Sequence, residues 1–350
     1  MHRFRLPYHL IVEEGVFSDI PGAMRDVFPK LKKQKTILVT EENLKGIFRE
    51  IIDEILRDFP KSELYLITEA SYDAAVALAK RIAMQGITTV IGFGGGTVLD
   101  LAKYAAFVSK AQLISLPTTL SNDSLASPVA VLGMEGKARK SLKCTIPDAI
   151  LVDASVIKSA PERQLLAGIG DTVSKYTALY DWRLAAEKGG EPFDDFAYMI
   201  SQMSLDSIIL GGGELKSTEF IERLTHALVM GGLAMEIAGS SRPSSGSEHL
   251  FCHALEENFG EVNVPHGIAV AMGSYCAVQF QGRDVSTVKE LITGYGIPVK
   301  PSAYGVTEEI FVGAWQGAAA SRPDRYSILN EVQPDEKRLR ALYSEMETLF

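Results

Sequence analysis

Short apolar runs alternate with helical periodicities over roughly the first 150 residues. The stretch 36–40 (TILVT) is β-branched and bounded by polar residues, which predicts a buried strand. The stretches 63–68 (ELYLIT), 88–92 (TTVIG), 112–116 (QLISL) and 149–153 (AILVD) predict strands in the same way. Between them, 72–85 and 98–108 place apolar residues at helical spacing. Strand–helix alternation of this kind predicts a parallel sheet with helices on both faces, an α/β unit. Past residue 153 the pattern becomes almost wholly helical, opened by Ser159-Ala160-Pro161-Glu162, which matches a capping box with Ser159 as N-cap. Two units are expected, an α/β half over 1–157 and an all-α half over 158–350. No low-complexity linker separates them, so they should pack tightly, with the cleft between them the default place for a site.

Length and composition fit this picture. A chain of 350 residues is long enough for two cores, and 46% hydrophobic with 23% charged residues is ordinary for a globular protein. The net charge of −9 argues against a general nucleic-acid or anionic-membrane surface and leaves room for a local cationic pocket. The three cysteines, Cys144, Cys252 and Cys276, are odd in number and form no CxxC pair, so a reducing, cytoplasmic setting is expected. The first residues hold no apolar stretch of signal-peptide length, and no run approaches the ~18 apolar residues of a membrane span.

The first candidate chemistry is Gly92-Phe93-Gly94-Gly95-Gly96, between a predicted strand and a predicted helix. Glycines there permit positive φ and close approach of a ligand, and the free N–H groups of the next helix face the turn, which suits a phosphate. The spacing is not GxGxxG. Asp100 and Lys103, one turn on, either face a bound cofactor or are solvated surface groups. Glu41 ends the strand at 36–40, where a carboxylate can accept from a ribose 2′-OH and repel a 2′-phosphate, which favours NAD over NADP.

The second is a histidine cluster. His249 and His253 are four residues apart and share a helix face, and His266 follows in Pro265-His266-Gly267. With Asp171, one carboxylate and two imidazoles make a three-ligand set with open positions, the pattern of a catalytic metal; zinc suits it, and so do iron and nickel. The alternative is a capping histidine and an exposed one. Cys252 should point away from the face of His249 and His253 and be a buried thiol.

Taken together, GFGGGTVLDLAK, LPTTLSNDSLASP, GIGDTVSKYTALYDWRLA, AGSSRPSSGSEHLFCHAL and PHG occur in an order that resembles the metal-dependent alcohol dehydrogenase and dehydroquinate synthase-like superfamily. Within it, YTALYDWRLA, AGSSRPSSGSEH and the late RYSIL resemble the sn-glycerol-1-phosphate dehydrogenases rather than plain glycerol dehydrogenases. The resemblance runs from about residue 35 to 330. It implies an N-terminal Rossmann-like domain and an all-helical C-terminal domain. By motif match it implies Asp171, His249 and His266 as metal ligands. It implies Gly94, Gly95 and Gly96 at the cofactor pyrophosphate, with Asp100 and Lys103 completing that motif and Thr118, Thr119 and Leu120 near the nicotinamide. Asp123 and Asp171 would touch substrate, and His253 would stand beside the metal without ligating it and help move a proton. Two departures stand out: Ser124 replaces a glycine beside Asp123, and Ile268 follows His266-Gly267.

The implied chemistry is hydride transfer from NAD(H) or NADP(H) to a metal-polarised carbonyl, with dihydroxyacetone phosphate and sn-glycerol 1-phosphate as the substrate pair. A phosphate needs local cations. Arg242, just before the histidine helix, is the first candidate clamp, with Lys143 and Lys175 second. The competing readings are a polyol or natural-product ketone dehydrogenase, a carbocycle-forming lyase that returns NAD unchanged, and a non-catalytic binding protein. A homo-oligomer with a small-molecule substrate is expected.

Overall fold

The computed structural model describes residues 4, 6, 7, 9–134 and 137–350. Six strands form one parallel sheet: β1 (His9–Glu13), β2 (Thr36–Glu41), β3 (Ser62–Ile67), β4 (Thr89–Gly94), β5 (Gln112–Pro117) and β8 (Ala149–Asp153). Their order is β1-β8-β5-β4-β2-β3. The remaining two, β6 (Val129–Met134) and β7 (Lys137–Lys143), make a separate antiparallel hairpin. The five strands expected from the apolar runs are all present, to within two residues at their ends. Strand β1 and the hairpin are not among those expectations. An edge strand reading HLIVE and a hairpin arm reading KARKSLK lack the apolar signal that marks a central strand.

Strand alternation sorts the side chains onto two faces. Ile37, Val39, Val90 and Leu113 pack with the helices Tyr72–Gln85 and Gly96–Ser109. Leu38, Ile91, Ile114 and Leu151 pack with Ile20–Val27 and Arg49–Asp58. The order in which strands are added reverses between the parallel neighbours β2 and β4, so their carboxyl ends flank a switch-point crevice, with Glu41 on one lip and the glycine turn on the other.

After β8 every element is helical. Ile150 and Val152 of β8 belong to the core of this helical half, so the two halves share buried surface. The predicted capping box does not form. Ser159 ends the helix Ala154–Ser159 and its hydroxyl donates to the Val156 carbonyl, while Pro161 is the N-cap of Glu162–Val173 with no side-chain bond. A proline at the cap position fixes the chain direction and displaces the serine from that role.

Two helices, Glu162–Val173 and His266–Phe280, cross backbone to backbone. A Cβ at Gly170 would lie 2.2 Å from the Gly267 carbonyl oxygen, and one at Gly267 would lie 1.8 Å from that of Ala167. Gly273 meets Glu248 of the helix Ser247–Asn258 at 2.7 Å in the same sense. These bare crossings bring together residues distant in sequence.

Candidate active site

A cavity of about 410 Å³ lies between the halves, and Glu41, Gly95, Asp123, Asp171, His253 and His266 are among the residues that line it. On the sheet side, the glycine turn leads into the N-terminus of the helix Gly96–Ser109. None of Gly94, Gly95 and Gly96 has positive φ, contrary to one of the two reasons for expecting glycine there. What excludes a side chain at these positions is the crowding of the protein's own groups. A Cβ at Gly94 would lie 2.6 Å from Val98, one at Gly95 3.2 Å from Thr119 Oγ1, and one at Gly96 2.9 Å from Ser124 Oγ. Thr118 N donates to the Gly94 carbonyl at 3.0 Å, which fixes the β5 end beside the turn.

Ser124, the departure beside Asp123, therefore packs its hydroxyl against the turn at Gly96. Gly95, Gly96, Thr118 and Thr119 line the cavity, whereas Gly94 and Leu120 lie behind it. Lys103 is also behind it, with its ammonium bonded to Asp100 at 3.0 Å, to the Val129 carbonyl at 2.7 Å and to Ser127 Oγ at 3.3 Å. Asp100 reaches the cavity wall and accepts from Val131 N at 3.0 Å. The pair that the sequence placed toward a cofactor or solvent is a buried link between this helix and the β6–β7 hairpin.

On the helical side, Asp171, His249 and His266 converge. His249 Nε2 lies 3.9 Å and His266 Nε2 3.8 Å from Asp171 Oδ1, and the three donor atoms all fall within 4.8 Å of one another. A tetrahedral ion with ligands at about 2.0–2.1 Å needs donors roughly 3.3 Å apart, so the set fits a metal with a small inward closure. Each imidazole has its other nitrogen held. His249 Nδ1 stands 2.8 Å from Glu248 Oε1, and Glu248 is fully buried, accepting from Gly246 N and Thr177 Oγ1. His266 Nδ1 stands 3.4 Å from Cys252 Sγ and 3.6 Å from Glu256 Oε1. Outer partners of this kind fix which nitrogen faces the ion. Cys252 is a buried thiol as expected, pushed up to about 11 by burial, but its neighbour is the third histidine.

Sequence reasoning missed both Glu248 and Glu256. The acid directly before His249 was the available signal for Glu248, and only the packing shows that its carboxyl group lies within hydrogen-bond distance of that ring.

Asp123 completes the wall, its backbone N–H donating to Asp171 Oδ2 at 3.2 Å. Burial and the Asp171 carboxylate push its pKa up to about 6. Burial lowers the pKa of His253, which favours the neutral ring. Arg242 is not on the cavity wall. Its guanidinium makes a paired contact with Glu191, with Nε donating at 2.6 Å, because the loop after the helix Lys175–Gly189 carries that carboxylate against it. Lys143 is exposed at the end of β7, away from the lining residues. Lys175 is fully buried, with its ammonium 3.3 Å from the Asp171 carbonyl oxygen.

A carboxylate–imidazole triad facing a glycine turn across an α/β–helical cleft defines a class of metal-dependent dehydrogenase. Residues 13–161 match the family described as iron-containing alcohol dehydrogenase. The fold is that of a probable glycerol dehydrogenase from Sinorhizobium meliloti 1021, at 22% identity, TM-score 0.78 and coverage of 99% of this chain and 98% of that one. It is shared with glycerol dehydrogenase from Schizosaccharomyces pombe, at 20% identity, TM-score 0.73 and coverage of 100% and 91%. Sequence relatives narrow the class. The glycerol-1-phosphate dehydrogenase of Hyperthermus butylicus is 34% identical over 95% of this chain and 94% of its own length, and that of Archaeoglobus fulgidus is 34% identical over 94% of each. The chain belongs to the glycerol-1-phosphate dehydrogenase family.

Proposed function

We propose that this protein interconverts dihydroxyacetone phosphate and sn-glycerol 1-phosphate with NAD(H) or NADP(H). The observation that carries the reading is the convergence of Asp171, His249 and His266 on one cavity with the glycine turn, in a chain whose relatives are named as glycerol-1-phosphate dehydrogenases using NAD(P)+. A divalent metal would be held by that triad and the nicotinamide nucleotide by Gly95, Gly96 and Thr118; when bound, they supply carbonyl polarisation and hydride. Zinc is the first choice for a set with one oxygen and two nitrogen donors, with iron or nickel compatible.

The chain's own groups do the rest. Glu248 keeps His249 Nδ1 occupied, so Nε2 presents its lone pair to the cavity. Asp123, beside Asp171, orients a substrate hydroxyl. His253, neutral at physiological pH, is placed on the cavity wall to pass a proton between the substrate oxygen and water. Glu41 on the lip of β2 favours a free ribose 2′-OH. The cleft that holds these groups is the contact face of an α/β domain over 1–157 and a helical domain over 158–350.

The test is oxidation of NADH and of NADPH by metal-loaded protein, with dihydroxyacetone phosphate against dihydroxyacetone. A marked preference for the phosphorylated ketone is expected, and equal rates would overturn the reading. Among the described residues no helix is long and apolar enough to cross a membrane. A cytoplasmic setting and self-association belong to the same proposal. Phe196, Met199 and Met203 are exposed at helical spacing on Asp195–Ile209 and offer a face for a second copy, which light scattering would report as a multiple of the chain mass.

A further inference from the structure

The three segments that set this chain apart from plain glycerol dehydrogenases meet at one place. Asp181, in YTALYDWRLA, accepts from Ser247 N at 2.6 Å through Oδ2 and from Ile328 N at 3.0 Å through Oδ1. It thereby joins the start of the helix Ser247–Asn258 to RYSIL, and the loop 239–246 runs directly into that helix. From RYSIL, Arg325 reaches across to the loop 239–246. Its Nη1 donates to Ser245 Oγ at 2.7 Å and to the Ser245 carbonyl at 3.0 Å, and its Nη2 donates to Ser241 Oγ at 2.7 Å. Ser241, Ser244 and Ser245 all line the cavity.

The hydrogen-bond accounting of this wall is incomplete within the protein. A hydroxyl has one donor and two acceptor sites. Ser241 and Ser245 spend acceptor sites on Arg325, and among the described residues no protein group accepts their own hydrogens. Ser244 Oγ is buried and makes no bond at all. Three O–H donors are thus left at one wall of the cavity.

The charge accounting is incomplete as well. Arg242 is matched by Glu191. Lys175 is fully buried and Arg325 partly buried, and among the described residues neither has a carboxylate within ion-pair distance. Burial and the neighbouring Arg242 charge lower Arg325 to about 10, which still leaves it cationic at neutral pH. Lys175 passes over the bare face of Gly231, where a Cβ would lie 3.1 Å from its Nζ and 3.6 Å from Ser244 Oγ, so the second cation and the unbonded hydroxyl flank the same glycine. Buried uncompensated charge is costly, and an anion in front of the serines would compensate it.

We propose that Ser241, Ser244 and Ser245, backed by Arg325 and Lys175, form the subsite that takes a phosphate monoester. The site extends the wall that carries His249, since Ser245 lies two residues before the start of the helix that holds it. The proposal rests on the phosphorylated-triose reading for its biological ligand, but its binding chemistry can be tested separately.

Inorganic phosphate is the probe. Titration of the metal-loaded wild type, followed by thermal shift, should show saturable stabilisation. Ser244→Ala removes a hydroxyl that bonds nothing in the fold, so it should leave the unliganded melting temperature nearly unchanged and weaken phosphate binding about ten-fold. Arg325→Lys keeps the charge, loses the fork that polarises two serines, and should weaken phosphate by a similar factor. In kinetics, both variants should raise KM for dihydroxyacetone phosphate and leave kcat/KM for dihydroxyacetone within about two-fold, as expected for groups touching only the phosphate. Phosphate binding unchanged in both variants would overturn the subsite. Equal wild-type rates with the two ketones would overturn the substrate reading, whatever the phosphate titration shows.

Discussion

Gly267 packs so closely on Ala167 that a Cβ at Gly267 would lie 1.8 Å from the Ala167 carbonyl oxygen. This contact sets the separation of the helices Glu162–Val173 and His266–Phe280, and with it the 3.8 Å between His266 Nε2 and Asp171 Oδ1. Gly267→Ala must push the helices apart against backbone atoms that cannot rotate away. A destabilisation of about 3 kcal/mol or more is expected, in line with overpacked interiors. Bound metal should fall with it. Melting temperature and metal content measure the two effects, and an alanine variant with wild-type values for both would show that the crossing is not what fixes the triad.

Glu248 is the buried partner of His249. Glu248→Ala frees the ring to rotate and to change tautomer, so metal affinity should drop about 10- to 100-fold in competition with a chelator. Glu248→Gln keeps an acceptor oxygen and should lose less. Equal losses would mean that the charge matters and the hydrogen bond does not.

Glu41 lies on the cavity wall at the end of β2. Glu41→Ser removes a carboxylate that would repel a 2′-phosphate, so the ratio of kcat/KM for NADPH to that for NADH should rise by about ten-fold. An unchanged ratio would place the ribose elsewhere.

Burial pushes the pKa of Asp181 up to about 6, with Glu248 adding to the rise, and burial pushes Glu248 itself up to about 7. Both lie above the ordinary carboxylate values expected in the unfolded chain. The folded state therefore holds protons that the unfolded state has released, and stability falls as pH rises through this range. The contribution is complete below about pH 4 and is lost as pH climbs through about 6 and 7. His249 and His253, whose pKa values burial lowers, act in the opposite sense, so the readout is the difference between chains: in the metal-free protein Glu248→Gln should make the slope of the urea midpoint between pH 5 and pH 7.5 less negative. The same slope in both chains contradicts the assignment.

The strands at the centre of the sheet could be read directly because each is a short β-branched run buried on both faces, and TILVT or AILVD has few other uses. The edge strand HLIVE and the hairpin arm KARKSLK could not, since half-exposed strands carry little apolar signal. The capping box at Ser159 was lost to Pro161, a local competitor only two residues away.

Residue type and spacing alone identified the glycine turn, and put His249 and His253 on one face. The choice of His266 and Asp171 as the partners of His249 came through resemblance, and the glycine crossings supply its physical basis.

Side-chain pairing over long sequence distance was closed to the sequence. Arg242 has the charge, the position and the guanidinium that a phosphate clamp needs, yet Glu191 occupies it, while Arg325 reaches the serine wall from 80 residues beyond Ser245. Lys103 is likewise committed to Asp100 and Val129. The sequence by itself determined which groups could do the chemistry, because donors, acceptors and charges are properties of residue types and local spacing. Only the tertiary structure decided which of them are free to do it, because in a buried site each cation and hydroxyl is assigned by whichever partner the packing brings within hydrogen-bond reach.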